Sequence, residues 1–318
     1  MQDQFPIPSC FSPSDKFSDD PNSAKSGQSL VMSVYRTKIA GHCRIITITW
    51  CKNLLVHGLS ISVEALDQNP NDDHNINHNN IDIDHKHLNQ FSCKVELRPW
   101  YFWRKLGSKR FQVDGKPVDI FWDLRQAKFS GETEPRSDYY VAVVSDEEVV
   151  LLLGDLKKEA YRRTGFRPSI IDAILLSKKE HVFGKKRFST RAKFHEKDKF
   201  HDILLECSNN GGFDSEMMIK IDGNSMVDVK HLQWKFRGNE SISIGKTRLE
   251  VYWDVHDWLF VPGMRHALFI FKPVSSPACS SSTFSSSSSS MSSVVSLGEE
   301  GSNGSSGSCL FLYAWKLE

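Results

Sequence analysis

The chain of 318 residues carries 40 Lys and Arg against 39 Asp and Glu, a formal net charge of +1, and is 39% hydrophobic. Its length suits about two domains, and its charge balance excludes a protein whose whole surface grips nucleic acid or an acidic substrate. The longest clean aliphatic run, Val149–Leu153, is far shorter than the ~20 residues of a membrane-spanning helix.

Residues 1–30 are polar, contain Asp3, Asp15, Asp19 and Asp20, and hold no apolar core of a leader. They are expected to be disordered, and to be neither a secretory signal nor a transit peptide. Short runs with a period of two then predict strands over 33–39, 43–51, 58–64, 92–98, 109–113, 117–124, 138–145 and 147–153. Residues 67–90 interrupt them with 16 Asn, Asp or His among 24. Such a tract cannot bury enough apolar surface to offset its ordering entropy, so it reads as a disordered surface insertion. Its His74, His78, His85 and His87 belong to that solvated loop and do not form a metal site.

A helix follows over Leu156–Arg163, with Asp155 as its cap and Gly165 as its stop. Ile170–Leu176 is open between a helical turn and a linker strand. Further strands are predicted over 188–194, 199–207, 216–221, 225–232, 240–244, 247–255 and 264–272. Residues 275–308 hold 18 serines among 34 and read as a second disordered insertion, because an apolar strand, 310–317, returns after them.

The chain also resembles itself. Trp103 through Leu124 aligns with Trp234 through Val255 at a constant offset of 131, pairing Trp103 with Trp234, Gly107 with Gly238, Trp122 with Trp253 and Asp123 with Asp254. Val118, Ile120 and Trp122 share one face of a strand, as do Leu249, Val251 and Trp253, so both tryptophans are placed in the core. Asp114-Gly115 and Gly245-Lys246 mark the preceding hairpins.

Catalytic signals are weak. The nucleophile elbow, phosphate loop, dinucleotide fingerprint and HExxH are all missing from the sequence. His42 and Cys43 are chain neighbours and fall on opposite faces of a strand, which does not make a Cys–His pair. Asp123 and Asp254 are equivalent by repetition and not an acid pair. His256-Asp257-Trp258 reads as strand-end packing. The seven cysteines are scattered with no CxxC, which suits reduced thiols and disfavours structural zinc. No cofactor or metal is expected.

Charge is uneven. Residues 154–200 hold 14 Lys or Arg and 6 Asp or Glu. The densest part contains Lys185, Lys186, Arg187 and Arg191, which form the candidate site for an anionic partner. Arg104 and Lys105 beside Trp103 are a second candidate, as are the cations beside Trp234, although packing of cations on rings at a turn is the simpler explanation of such pairs. The expected partner is a protein or an anionic membrane surface; there is no strong nucleic-acid signal.

Several longer strings resemble a known plant family. They include Ser33-Val-Tyr-Arg-Thr-Lys-Ile-Ala-Gly-His-Cys43, Pro99-Trp-Tyr-Phe-Trp-Arg-Lys105, Phe121-Trp-Asp-Leu-Arg-Gln-Ala-Lys-Phe129, Leu232-Gln-Trp-Lys-Phe-Arg-Gly238 and Tyr252-Trp-Asp-Val-His-Asp-Trp258. Together with the run from Ser137 to Asp155 and that from Lys179 to Phe188, they are similar to the Domain of Unknown Function 868 family over about residues 31–274 and the last strand. The resemblance implies a plant source and brings no catalytic residues with it.

The expectation is an all-β protein of two tandem antiparallel sandwich-like domains, 31–153 and 188–318, arising from internal duplication. A basic connector, 154–187, with a short helix joins them. A lipocalin-like pair of barrels and one continuous larger sheet assembly are the structural alternatives. Function is expected to be non-enzymatic binding or scaffolding. The alternatives are a small-ligand enzyme with a pocket inside one domain, and anionic-membrane or phosphoinositide binding through the connector. The expected location is the cytoplasm, with the nucleus as alternative.

Overall fold

The computed structural model describes residues 29–53, 56–65, 90–97, 105–195, 198–209, 215–274 and 307–316. The tracts expected to be disordered, and Trp100, Trp103 and Arg104, lie outside the described residues, apart from a few at the tract edges.

The fold is all-β. In the first half, β1 (Ser29–Ile39), β2 (His42–Lys52), β3 (His57–Ala65) and β4 (Gln90–Leu97) run as a meander, followed by another of β5 (Leu106–Val113), β6 (Lys116–Asp123), β7 (Tyr140–Ser145) and β8 (Glu148–Gly154). Helix α1 (Lys157–Thr164), the two-residue β9 (Arg167–Pro168) and β10 (Ile174–Phe183) come next. The second half repeats the order. A meander of β11 (Arg187–Ala192), β12 (His201–Asn209), β13 (Ser215–Ile221) and β14 (Asn224–Val229) precedes one of β15 (Arg237–Ile244), β16 (Thr247–Asp254), β17 (His266–Pro273) and β18 (Cys309–Trp315), with α2 (His256–Phe260) between β16 and β17. All sixteen strands anticipated from the period of two are present, most with ends shifted by one to four residues.

Three sheets result. Strands β11–β14 form one and β5–β9 another, while the third has nine strands in the order β15-β16-β17-β18-β10-β1-β2-β3-β4. Strand β10 joins the halves, pairing antiparallel with β1 and parallel with β18. One continuous sheet thus runs through both. Tight turns rest on left-handed pairs such as Ala40-Gly41, Asp114-Gly115 and Asp222-Gly223, whose positive φ values match the twist of a two-residue hairpin.

Each half has its own core. Ile46, Ile48, Trp50, Leu59, Ile61 and Val63 from β2 and β3 meet Val118, Ile120, Trp122, Val141 and Val143 from β6 and β7. Ile203, Leu205, Met217 and Ile219 meet Leu249, Val251, Trp253, Phe269 and Leu312 in the other. Strand β7 is buried along its whole length because α1 covers its second face, where Tyr140, Ala142 and Val144 pack with Ala160. The cap of α1 differs from the sequence reading. Leu156 is its N-cap, and the Asp155 carboxylate instead accepts the Tyr139 N–H at 3.2 Å. Gly165, at φ 74°, does end the helix.

The offset of 131 reappears in bonds and packing. Leu124 N–H donates to the Lys105 carbonyl at 2.7 Å, and Val255 N–H to that of Phe236 at 2.9 Å. Arg125 N–H donates to Asp123 Oδ1 and His256 N–H to Asp254 Oδ1, both at 3.1 Å. Trp122 and Trp253 are each 9% exposed. Each lies over a glycine of the neighbouring strand: a Cβ on Gly107 would sit 2.6 Å from Trp122, and one on Gly238 2.3 Å from Trp253. The room for each indole is the missing side chain.

The segment counted above as a basic connector contains a buried ion cluster. Period two turns Lys178, Glu180 and Val182 of β10 inward. Lys178 Nζ donates to Glu134 Oε1 at 2.8 Å and to the Arg191 carbonyl at 2.7 Å, and lies 2.9 Å from Glu180 Oε1. Thr190 donates its hydroxyl to Glu180. Burial alone would lower the Lys178 pKa, but the charges of Glu134 and Glu180 more than offset it and hold the ammonium charged. Burial also raises Glu180, against the pull of Lys178. The neighbouring Tyr35 hydroxyl is pushed up to about 12 by burial and by Glu134.

Two predictions follow from these contacts. Lys178→Met should destabilise the protein by about 3–5 kcal/mol in urea unfolding, because it strands a buried carboxylate. Adding Glu180→Leu and Glu134→Gln should recover most of that loss; no recovery would mean that the charges are not the source of the effect. Gly107→Ala and Gly238→Ala should each cost about 1–3 kcal/mol by overpacking, whereas Gly→Ala at an interior strand position normally gains stability. An increase in urea midpoint for either would show that the indole can move aside.

Candidate interaction site at one sheet end

Strand register gathers a set of loops at one lip of the long sheet. Lys52 pairs with Ser29, and Ser29 with Val182; Phe183 pairs with Trp315, Trp315 with His266, and Asp254 with Arg237. The β10–β11 turn, the β14–β15 loop, the segment 255–265 and the residue after β18 therefore leave the second half at the same end. Backbone bonds tie them together: Gly184 N–H to the Trp315 carbonyl at 3.0 Å, Cys207 N–H to that of Lys186 at 2.8 Å, Leu232 N–H to that of Ser215 at 2.7 Å and Lys316 N–H to that of Arg265 at 2.8 Å.

Two aromatic side chains project from this end. Trp234 is 79% exposed and Phe260 50% exposed, with Met264 also on the surface. Phe260 belongs to a cluster with Phe236 and His256, at ring separations of 5.9 and 5.4 Å. A fully exposed Trp contributes nothing to the core, and its usual partners are interfaces. Lys185, Lys186, Arg187, Lys235, Arg237 and Arg265 lie on the segments that leave at this end and are exposed. Arg237 pairs with Asp254 at 2.7 Å, and Arg187 lies 3.8 Å from Glu206. The Asp257 carboxyl is held below its ordinary range mainly by the hydrogen bond with His256. The side-chain amide of Gln233, beside Trp234, is shielded from solvent without a hydrogen-bond partner. Backbone bonds from Leu232 to Ser215 and from Trp234 and Lys235 to the His231 carbonyl hold the loop around it.

Between these loops lies a cleft of about 140 Å³, lined by Lys186, Cys207, Ser208, Ser215, Leu232, Trp258, Leu259 and Lys316. Burial pushes the Cys207 thiol up to about 12, against the charge of Lys186. It remains protonated near neutral pH and is no nucleophile. Among the described residues, no three metal-ligating side chains come together, and no helix is long and apolar enough to cross a membrane.

The sequence candidates divide. Lys185, Lys186 and Arg187 share this end. Arg191 stands at the far end of β11, 3.5 Å from Asp202 and over the Phe200 ring at 4.8 Å. Lys105 belongs to the first half, and Arg104 is outside the described residues. Ring packing of cations at the turn was the simpler reading for Trp234, but its exposure leaves it projecting outward. Phe260, Arg265 and Lys316 were missed, since each lies far along the chain from the basic run and only strand register brings it close.

Beside the lip, the outer faces of β10, β17 and β18 carry stacked rings. His181 stacks on Tyr313 at 4.5 Å, and His266 approaches Trp315 at 4.6 Å. The Trp315 indole N–H donates to His181 Nδ1 at 3.0 Å. Burial, with help from His266 and Lys179, lowers the His181 pKa to about 4.

Fold and site together define an all-β protein with a basic, aromatic loop end. Residues 26–316 match a plant protein family of unknown function, DUF868, and the chain belongs to it. No curated protein and no solved structure matches.

The depressed His181 pKa predicts acid sensitivity. Between the ordinary 6.5 and about 4 the unfolded chain binds a proton that the folded chain refuses, so stability falls as pH drops through that window and levels off below it. The full effect is about 3 kcal/mol. Urea unfolding at pH 7 and pH 4.5 should show a smaller acid loss for His181→Phe than for wild type. Equal losses would assign the sensitivity to other groups.

Proposed function

We propose that this protein is a non-enzymatic binding module that docks on an anionic membrane surface through the loop end bearing Trp234. The observation that carries the reading is the combination of the exposed Trp234 and Phe260 with exposed cations on segments at the same sheet end. Amphipathic rings suit the headgroup layer, and each nearby Lys or Arg adds about 1 kcal/mol on an anionic leaflet. The packed interiors around Trp122 and Trp253 favour binding over an enzyme with an internal pocket. The cleft of about 140 Å³ is also small for a substrate site, since such sites hold roughly 300–1,000 Å³.

We also infer that the two halves are duplicated sandwich-like units. The common strand order, the paired Trp-over-Gly contacts and the matched bonds at an offset of 131 support this. The five free cysteines among the described residues suit a reducing compartment, and hence the cytoplasmic side of a membrane.

Vesicle co-sedimentation tests the docking. Wild type should bind vesicles containing phosphatidylserine, more weakly as salt rises, and neutral vesicles poorly. Trp234→Ala with Phe260→Ala should lower affinity by roughly tenfold to a hundredfold, the worth of one buried large side chain. Lys185→Glu with Arg187→Glu should do likewise, while Arg191→Glu should have little effect. The docking reading fails if no vesicle is bound, or if crosslinks from this end reach only a protein partner.

A further inference from the structure

We propose, building on the membrane-docking reading, that the cleft between Lys186 and Lys316 is the subsite for a phosphomonoester group. Lys186 comes from the β10–β11 turn and Lys316 from the residue after β18, so two segments distant in sequence each bring a lysine to the lining. Among the described residues neither is engaged by a carboxylate and none of the lining residues is acidic, although the Glu206 charge reaches Cys207. The Cys207 thiol on the lining stays neutral and so repels no anion. Ser208 and Ser215, at the facing ends of β12 and β13, place hydroxyl-bearing side chains on the same wall.

The cleft, of about 140 Å³ and open to solvent on one side, admits a compact anion such as a phosphate group. Lysine binds phosphate as a compact point charge, and two of them match the dianion of a monoester better than the single charge of a diester. Leu232, Trp258 and Leu259 make the remaining wall apolar. Trp258 and Leu259 are in α2, whose next residue is the projecting Phe260. An anion held here therefore lies beside the rings that would enter the headgroup layer. Backbone bonds from Cys207 to Lys186 and from Lys316 to Arg265 hold both lysine-bearing backbone segments in place.

The experiment compares the full chain with Lys186→Gln/Lys316→Gln on two vesicle types of equal total charge. One contains phosphatidylserine and the other a phosphatidylinositol monophosphate; binding of soluble inorganic phosphate is measured in parallel by NMR. Wild type should prefer the monophosphate vesicles by at least about tenfold. The double variant should bind the two vesicle types alike, with phosphatidylserine binding also somewhat weakened because Lys186 belongs to the docking surface, and Trp234→Ala/Phe260→Ala should keep soluble phosphate binding. Equal wild-type affinity for the two vesicles, or a preference that survives Lys186→Gln/Lys316→Gln, overturns the cleft but leaves membrane docking standing. Phosphate binding that needs both lysines, without any vesicle binding, supports the cleft as a site for a soluble phosphate ester and removes the membrane. Absence of both kinds of binding removes both.

Discussion

Strand β10 is the constraint on which the architecture depends. It hydrogen-bonds on one side to β1, the first described strand, and on the other to β18, the last. Backbone groups at a sheet edge must find partners, and β10 supplies partners to both halves at once. Its inward side chains then meet the interior with a charge: Lys178 bonds to Glu134 of the first half and to the Arg191 carbonyl of the second. Hydrophobic burial fixes which face points inward but tolerates a slip of two residues better than a buried ammonium does, which is satisfied only where these acceptors converge. The net worth of such a buried ion cluster to stability is small or negative, so the contacts that Lys178 makes to both halves are its distinguishing feature.

That geometry also decides where loops can meet. Because β10 is antiparallel to β1 and parallel to β18, its C-terminal end lies beside both the start of β1 and the end of β18. The Lys185–Arg187 turn is thereby set next to Lys316 and Arg265, residues separated from it by roughly 80 to 130 positions in sequence. A surface with a cationic excess is assembled from the 185–187 run and cations distant from it in sequence. Sheet twist, about 20–25° between neighbouring strands, turns this lip progressively, so the second half presents its loops in its own direction.

Much of the fold was legible because strands of this kind write their burial in alternate residues. Val118, Ile120 and Trp122 announced their face, and so did Leu249, Val251 and Trp253. Strand β10 was less readable. Its inward positions include Lys178 and Glu180, so the usual apolar alternation is replaced by charge, and Ile170–Leu176 alone left helix and strand open. The α1 cap misled for a different reason: Asp155 has the right chemistry for a cap, but a nearer unpaired donor, Tyr139 N–H, takes its carboxylate. At the candidate site, composition found Lys185, Lys186 and Arg187. It could not separate them from Arg191, because four residues along a strand span about 13 Å, enough to reach the opposite end of a short sheet.

The basic excess of residues 154–200 thus resolves into unlike parts. Lys178 is consumed inside the protein, Arg191 is matched by Asp202, and Arg187 is loosely matched by Glu206. What is left near the lip is modest in number, so electrostatics alone would give weak, salt-sensitive attachment. The exposed Trp234 changes that balance. An indole removed from water adds an apolar contribution that salt does not screen, and it acts at the place where the unmatched lysines stand. A protein with near-zero net charge can in this way present one locally cationic, apolar-tipped face, since binding responds to the field within about a Debye length and not to the sum over the chain.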